Sequence, residues 1–309
     1  MSTDHPKVLR WAILAAGKIS KVFVDDLLID PRTREVTDIS HKLVAVGSRS
    51  IERAQEFINS FEKLKGEKVQ AYGSYEELFN DQEVDIVYIG SPHSLHHLHT
   101  KLSLLAGKHV LCEKPMTVNA KQAEEIFKIS KEKGLFVMEG LWTRFFPLMT
   151  KLQEVIKSGT IGNILQVHAD FGIRFDPKEC TSNHRIFDPM LAGGGLLDLG
   201  PYSWTMLAMT LLPQSTLLKD PKKMNGNKEH SNDGNSLNEE SLMMPKIKSS
   251  AVMYRHPDAK PNSSKIDAST ISIIEFPTSS GEIIPGIMET SITRPTLDDR
   301  AVTIYGSMG

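Results

Sequence analysis

The residues best placed to do chemistry begin at a turn. Ala15-Ala16-Gly17-Lys18-Ile19-Ser20 follows an apolar run and precedes a helical spacing, an A-x-G-x-x-S version of the glycine-rich turn that receives a dinucleotide. Gly17 lets the backbone approach a pyrophosphate, whose charge suits the positive N-terminus of the helix that Lys18 and Ile19 would open. Ala15 stands where such turns carry their first glycine and puts a Cβ into the bend; a plain strand-to-helix turn without a ligand accounts for the same residues. Further on, Gly47-Ser48-Arg49-Ser50 ends a second apolar run, the place from which an adenosine ribose is read. An acid there would accept from a free 2′-hydroxyl, whereas arginine beside serines suits a 2′-phosphate, so NADP is favoured over NAD. The competing account makes Arg49 and Arg53 solvated charges at a helix start.

Two other sets invite assignment. His93, His96, His97 and His99 fall close together, but no second cluster with ligand spacing accompanies them, and no metal is expected. Cys112 and Cys180 are too few to staple the chain or to form a structural zinc site, which points to a reducing compartment and a cytoplasmic protein. Cys112 reads as a small buried hydrophobe.

The elements that must position these residues follow from periodicity. Val8 to Leu14, Leu43 to Gly47, Val84 to Ile89, His109 to Cys112 and Phe136 to Met138 are strand-like; Ile19 to Leu28, Ile51 to Phe61, Leu95 to Leu105 and Ala120 to Lys133 are helical. Strict alternation predicts an α/β, doubly wound parallel sheet of Rossmann type over residues 1–142. Past Trp142, Leu148 to Lys157 is helical, Ile164 to Phe175 alternates, and strands follow one another at Ala251 to Tyr254, Thr270 to Phe276 and Glu282 to Ile292. Residues 143–309 are therefore expected to form an α+β domain on a mostly antiparallel open sheet. Lys219 to Leu242, rich in Asn, Lys, Glu and Ser, reads as a disordered insertion.

Composition bounds the partners. The 309 residues are 40% hydrophobic and 24% charged, with 36 basic against 38 acidic side chains, enough for two globular domains and no field to hold nucleic acid or an anionic membrane. No apolar stretch reaches the roughly 18 residues of a spanning helix, and the N-terminal run lacks a signal-like cleavage region. A small uncharged substrate is the natural partner.

Ser91-Pro92-His93-Ser94-Leu95-His96 and Ala106-Gly107-Lys108-His109-Val110-Leu111-Cys112-Glu113-Lys114-Pro115 carry a more specific signal. Together they resemble the Gfo/Idh/MocA oxidoreductases, whose pattern is T-P-x-x-x-H followed by A-G-K-H-V-x-x-E-K-P. Met138 to Pro147 (MEGLWTRFFP) and Gly193 to Tyr202 (GGGLLDLGPY) are similar to the branch of dimeric dihydrodiol dehydrogenase and the NADP-dependent D-xylose 1-dehydrogenases. Ser91 replaces threonine and keeps the hydroxyl; Ala15 replaces glycine, which implies a weaker grip on the cofactor. The family pattern continues beyond the strand matching Ala301 to Gly306, so the second domain is expected to be cut short.

The resemblance implies an NADP-dependent oxidation of a ring hydroxyl, with D-xylose going to its lactone as the leading reaction and trans-1,2-dihydrobenzene-1,2-diol as the alternative. It implies that Lys114 and Tyr202 are catalytic, with Glu113 and Pro115 positioning Lys114, and leaves open which of the two moves the proton. Tyr202 follows Asp198 by four residues on one helix face; Asp198 then holds a sugar hydroxyl, pairs with Lys114, or simply caps the helix. Ser91, Pro92, His93, His96 and Glu113 are implied at the cofactor, and Trp142 and Arg144 on its nicotinamide side, Trp142 also touching substrate; the plainer reading of Trp142, Phe145 and Phe146 is interdomain core, and the two are compatible. A homodimer through the second sheet is implied if that sheet is complete. A non-catalytic NADP-binding regulator and a shortened, inactive relative with an exposed sheet edge are the competing classes.

Overall fold

The computed structural model describes residues 6–215 and 245–309, which form two compact units, Met1–Leu141 with Met190–Ala192 and Trp142–Pro189 with Gly193–Gly309. The segment Lys219 to Leu242, read as an insertion, lies outside the described residues.

The first unit alternates strand and helix: β1 (Lys7–Leu14), α1 (Lys18–Leu27), β2 (Ile39–Gly47), α2 (Ile51–Asn59), β3 (Gln70–Tyr72), α3 (Tyr75–Asn80), β4 (Ile86–Ile89), α4 (His93–Leu105), β5 (His109–Glu113), α5 (Ala120–Lys133) and β6 (Val137–Gly140). The strands pair in parallel in the order β3-β2-β1-β4-β5-β6, the doubly wound dinucleotide order. Its strands are near-continuous apolar runs because both faces are covered. Trp11 and Ile13 of β1 enter one core with Val24, Phe57 and Ile58, while Ala12 and Leu14 enter the other with Leu78, Leu104 and Ile126. Each fully buried Leu, Ile or Phe stabilises by about 1.5–3 kcal/mol relative to exposure. Helix starts are set locally: Ser50, Ser74 and Asn119 accept from the backbone N–H groups of Arg53, Glu77 and Gln122. At the far end of α5, Gly134 takes the left-handed conformation that closes the helix.

The second unit holds α6 (Pro147–Lys157), β7 (Ile164–Gly172), α7 (Gly195–Leu211), β8 (Ile247–Tyr254), β9 (Ile266–Pro277), β10 (Ile283–Ser291) and β11 (Val302–Gly306). Its sheet runs β11-β7-β10-β9-β8. Three of the pairings are antiparallel, and β7 lies parallel to β10 because α7, β8 and β9 intervene in sequence, so the sheet is mixed rather than a plain meander. Leu207 and Leu211 of α7 pack with Ile274, Phe276 and Met288 on one sheet face. On the opposite face of β9, Ile271 and Ile273 are about half exposed.

β3 and α3 are absent from the periodicity analysis. Gln70–Tyr72 is too short to show an alternation, and α3 is set by its Ser74 cap rather than by an apolar stripe. The strand expected to reach Phe175 ends at Gly172, whose N–H turns to the Thr296 hydroxyl while its carbonyl accepts from the Thr296 N–H.

Candidate nucleotide and substrate sites

In the first unit the sequence-selected turns all leave the C-terminal ends of strands, around β1, where the strand order reverses. Open α/β sheets bind their ligands at that crevice. Gly17 is the N-cap of α1 and no side chain caps that helix. A Cβ built at Gly17 would find only the Gly90 carbonyl oxygen, 4.0 Å away, and the backbone there is not left-handed, so nothing in the protein's own packing asks for glycine. Gly90 is the contrast: a Cβ there would lie 2.3 Å from Ser20 Oγ, and this close approach lets α1 dock on the end of β4. The open ground before the α1 amides, with Lys18 and Ile19 exposed beside it, fits a diphosphate. Ala15 has φ +77°, and its carbonyl accepts from Ser20 Oγ at 2.6 Å, so alanine occupies a left-handed position that favours glycine.

At the end of β2, Ser48 is buried and Arg49 and Arg53 are exposed. Both guanidinium groups act on Tyr75: burial pushes its phenol up, and the two positive charges pull it partly back. Arg53 stands one helical turn beyond Arg49, and the carboxylate between them, Glu52, is turned onto Ser50. This donor set fits a phosphate on the ribose better than a bare hydroxyl pair.

The turn after β4 is tied inward. His96 is fully buried, with Nδ1 2.6 Å from the Pro115 carbonyl and Nε2 2.7 Å from the Ser91 carbonyl. Burial lowers its pKa, although two facing carbonyls favour the doubly protonated ring. His99 Nδ1 lies 2.9 Å from Ser91 Oγ and its ring meets Tyr75 edge-on; burial pushes its pKa down to about 4. His93 Nδ1 donates to the Ala192 carbonyl at 3.2 Å, and His97 pairs with Glu125 at 2.7 Å. Among the described residues no group of three His, Cys, Asp or Glu is arranged to hold a metal.

After β5, Glu113 accepts from the Tyr88 hydroxyl at 2.7 Å and from the Lys114 backbone N–H at 3.2 Å. Burial, the leading cause, raises the Glu113 pKa. Glu113 therefore fixes the backbone that carries Lys114, while Pro115 is buried under the His96 clamp through its carbonyl. Cys112 is buried and its thiol pKa is pushed up by that burial, as suits a packing residue.

The second unit carries a separate cluster on α7. Tyr202 accepts from Trp142 Nε1 at 3.2 Å and packs on Phe171, ring centroids 4.7 Å apart. One turn earlier, Asp198 is held by Arg185 through two bonds of 2.8 and 3.1 Å, its side chain 3% exposed against 48% for Arg185. Asp198 does not cap α7: the N-cap is Gly194, and Asp267 of β9 supplies the carboxylate, accepting from Leu196 N–H at 2.7 Å. Trp142, Phe145, Phe146 and Arg144 are all exposed. Arg185, Asp267 and Phe171 were not singled out by sequence. Their roles come from pairing across the fold, which spacing along the chain does not show.

Two family models match, one described as "Oxidoreductase family, NAD-binding Rossmann fold" over residues 9–141 and the other as "GFO/IDH/MocA C-terminal domain" over residues 149–227. The chain belongs to the Gfo/Idh/MocA oxidoreductase family. Among its Gfo/Idh/MocA relatives, a D-xylose 1-dehydrogenase (NADP(+)) from Hypocrea jecorina is 43% identical over 217 residues, 68% of this chain and 55% of that protein. A trans-1,2-dihydrobenzene-1,2-diol dehydrogenase from Bos taurus is 44% identical over 201 residues, 65% of this chain and 55% of that protein. The chain spans about half the length of the curated relatives it matches. A solved NAD binding oxidoreductase from Klebsiella pneumoniae shares the fold, with a TM-score of 0.71 over 97% of this chain and 71% of that one at 22% identity. No helix among the described residues is long and apolar enough to cross a membrane.

Proposed function

We propose that the chain is an NADP-dependent dehydrogenase that oxidises a ring hydroxyl of an uncharged sugar, D-xylose to D-xylonolactone first among candidates. The observation that carries this is the open turn at Gly17 after β1 beside the exposed Arg49 and Arg53 past the end of β2, the neighbouring parallel strand. Gly17, Lys18 and Ile19 would hold the diphosphate, Ser48, Arg49 and Arg53 the 2′-phosphate, and Ser91, Pro92, His93, His96 and Glu113 would shape the site beyond Ala15. Trp142 and Arg144 are assigned to the nicotinamide end. Bound NADP+ supplies the hydride acceptor. The remaining task is the hydroxyl proton, which Lys114 and Tyr202 are the residues to take; Glu113 steadies the Lys114 backbone, and Asp198, buried beneath Arg185, acts on a neighbouring hydroxyl through that arginine. The substrate's neutrality agrees with the formal charge of −2 and with the charge-balanced Arg185–Asp198 pair.

Oxidation of trans-1,2-dihydrobenzene-1,2-diol is the second reading, favoured by the neighbouring aromatic rings of Phe171 and Tyr202 and by the equally similar relative. We assign the half-exposed Ile271–Ile273 face to a second copy of the chain, and the free Cys112 and Cys180 agree with a cytoplasmic setting.

The test is NADPH formation from both substrates on one preparation, repeated with Lys114→Met. Loss of a positioned proton-transfer group costs about 10²- to 10⁴-fold in kcat. Full activity in the variant removes Lys114 from the mechanism, and tight NADP+ binding with no polyol turnover would make the chain a regulator.

A further inference from the structure

We infer that Trp142 is a positioning residue for proton transfer, its indole N–H holding one side of the Tyr202 oxygen so that the phenolic proton points elsewhere. The inference rests on the dehydrogenase reading and assigns Trp142 a role beyond lining the site.

An indole nitrogen only donates, so in the 3.2 Å bond from Trp142 Nε1 the Tyr202 oxygen must be the acceptor. The Tyr202 hydroxyl proton is therefore directed away from Trp142. Tyr202 itself has little freedom to escape the bond. Its ring lies against Phe171 of β7, 4.7 Å between centroids, and the next residue on α7, Ser203, bonds the Glu289 carbonyl of β10 at 3.0 Å. Trp142 is 50% exposed, so water could satisfy its N–H, and the fold does not depend on the bond to Tyr202. The effect belongs to chemistry more than to stability. A hydrogen bond to a charged oxygen is roughly twice as strong as one to a neutral oxygen, so the indole favours Tyr202 most when its oxygen has given up its proton. Release of the Tyr202 proton thereby becomes easier, and the oxygen that then receives the substrate's hydroxyl proton keeps its accepting lone pair on the side away from the indole.

The experiment compares wild type, Trp142→Phe and Trp142→His with D-xylose and with the dihydrobenzenediol, and follows the Tyr202 ring carbon bearing oxygen by NMR in protein labelled at that carbon. Tyr202→Phe assigns the resonance. In Trp142→Phe, which keeps an aromatic ring and loses the donor, kcat is expected to fall about tenfold or more while KM stays within about threefold, and the resonance to move. Trp142→His, which returns a ring N–H, should recover part of the kcat. NADP+ affinity is measured on both variants, and a fall in kcat that merely follows a loss of NADP+ affinity would overturn the assignment. An unmoved resonance, an unchanged kcat in Trp142→Phe, or a loss confined to KM would overturn the assignment. Should wild type turn over neither substrate, the dehydrogenase reading fails, and the resonance alone decides whether Trp142 holds Tyr202.

Discussion

The two units build their sites from different material. In the first, the candidate cofactor site is made of backbone at strand ends: the α1 amides, the missing side chain at Gly17, and arginines carried a few residues past β2. In the second, the cluster is made of side chains from distant segments: Arg185 on Asp198, Trp142 on Tyr202, and Asp267 on the start of α7. A diphosphate is the same in every dinucleotide and is well met by fixed backbone dipoles, whereas a substrate with particular hydroxyls needs side chains set by tertiary packing.

That contrast can be broken from either side. The largest effect is expected at Arg49→Glu, which replaces a donor by an acid at the ribose locus; the ratio of kcat/KM for NADP+ over NAD+ should fall about 10- to 100-fold, with sugar KM unchanged. An unchanged ratio would return Arg49 to a solvated surface charge. Next comes Arg185→Met, which leaves the nearly inaccessible Asp198 carboxylate without its fork. Breaking a buried pair costs about 3–5 kcal/mol, and half exposure of Arg185 brings the expectation to roughly 2–3 kcal/mol. Calorimetry should show a lower Tm while NADP+ affinity holds; equal loss of both would erase the separation between units. The smallest effect, and the one that sharpens the backbone half, is Ala15→Gly. Relief of a left-handed alanine, about 1–2 kcal/mol, less the added freedom of glycine in the unfolded chain, about 0.4–1 kcal/mol, predicts a gain of about 0–1.6 kcal/mol. Titration calorimetry of NADP+ should show equal or tighter binding, and weaker binding would mean that the Ala15 methyl contacts the cofactor.

How much could be read in advance follows the same division. Val8 to Leu14 and Val84 to Ile89 announced themselves because strands covered on both faces are near-continuous apolar runs, here broken only by Arg10 and Asp85, which pair with each other, and Ser50 and Asn119 mark helix starts through local bonds. The three-residue β3 left no pattern, since it is a strand by virtue of its pairing with Ala45–Gly47. Asp198 was assigned correctly to the face of a helix, yet its partner was missed: nothing in one-dimensional spacing distinguishes an acid that caps, one that binds a hydroxyl and one buried against arginine.

The sequence by itself determined the alternation of the first unit, the glycine turn and its arginines, and the family, because these depend on residues within a few positions of one another. Tertiary structure alone decided that β7 runs parallel to β10, that Asp267 rather than Asp198 serves the N-terminus of α7, and that Trp142 reaches Tyr202. The physical reason is range. Propensity, capping and periodicity act along the chain, whereas a hydrogen bond between residues sixty or seventy positions apart exists only after the sheet and helix that carry them have packed.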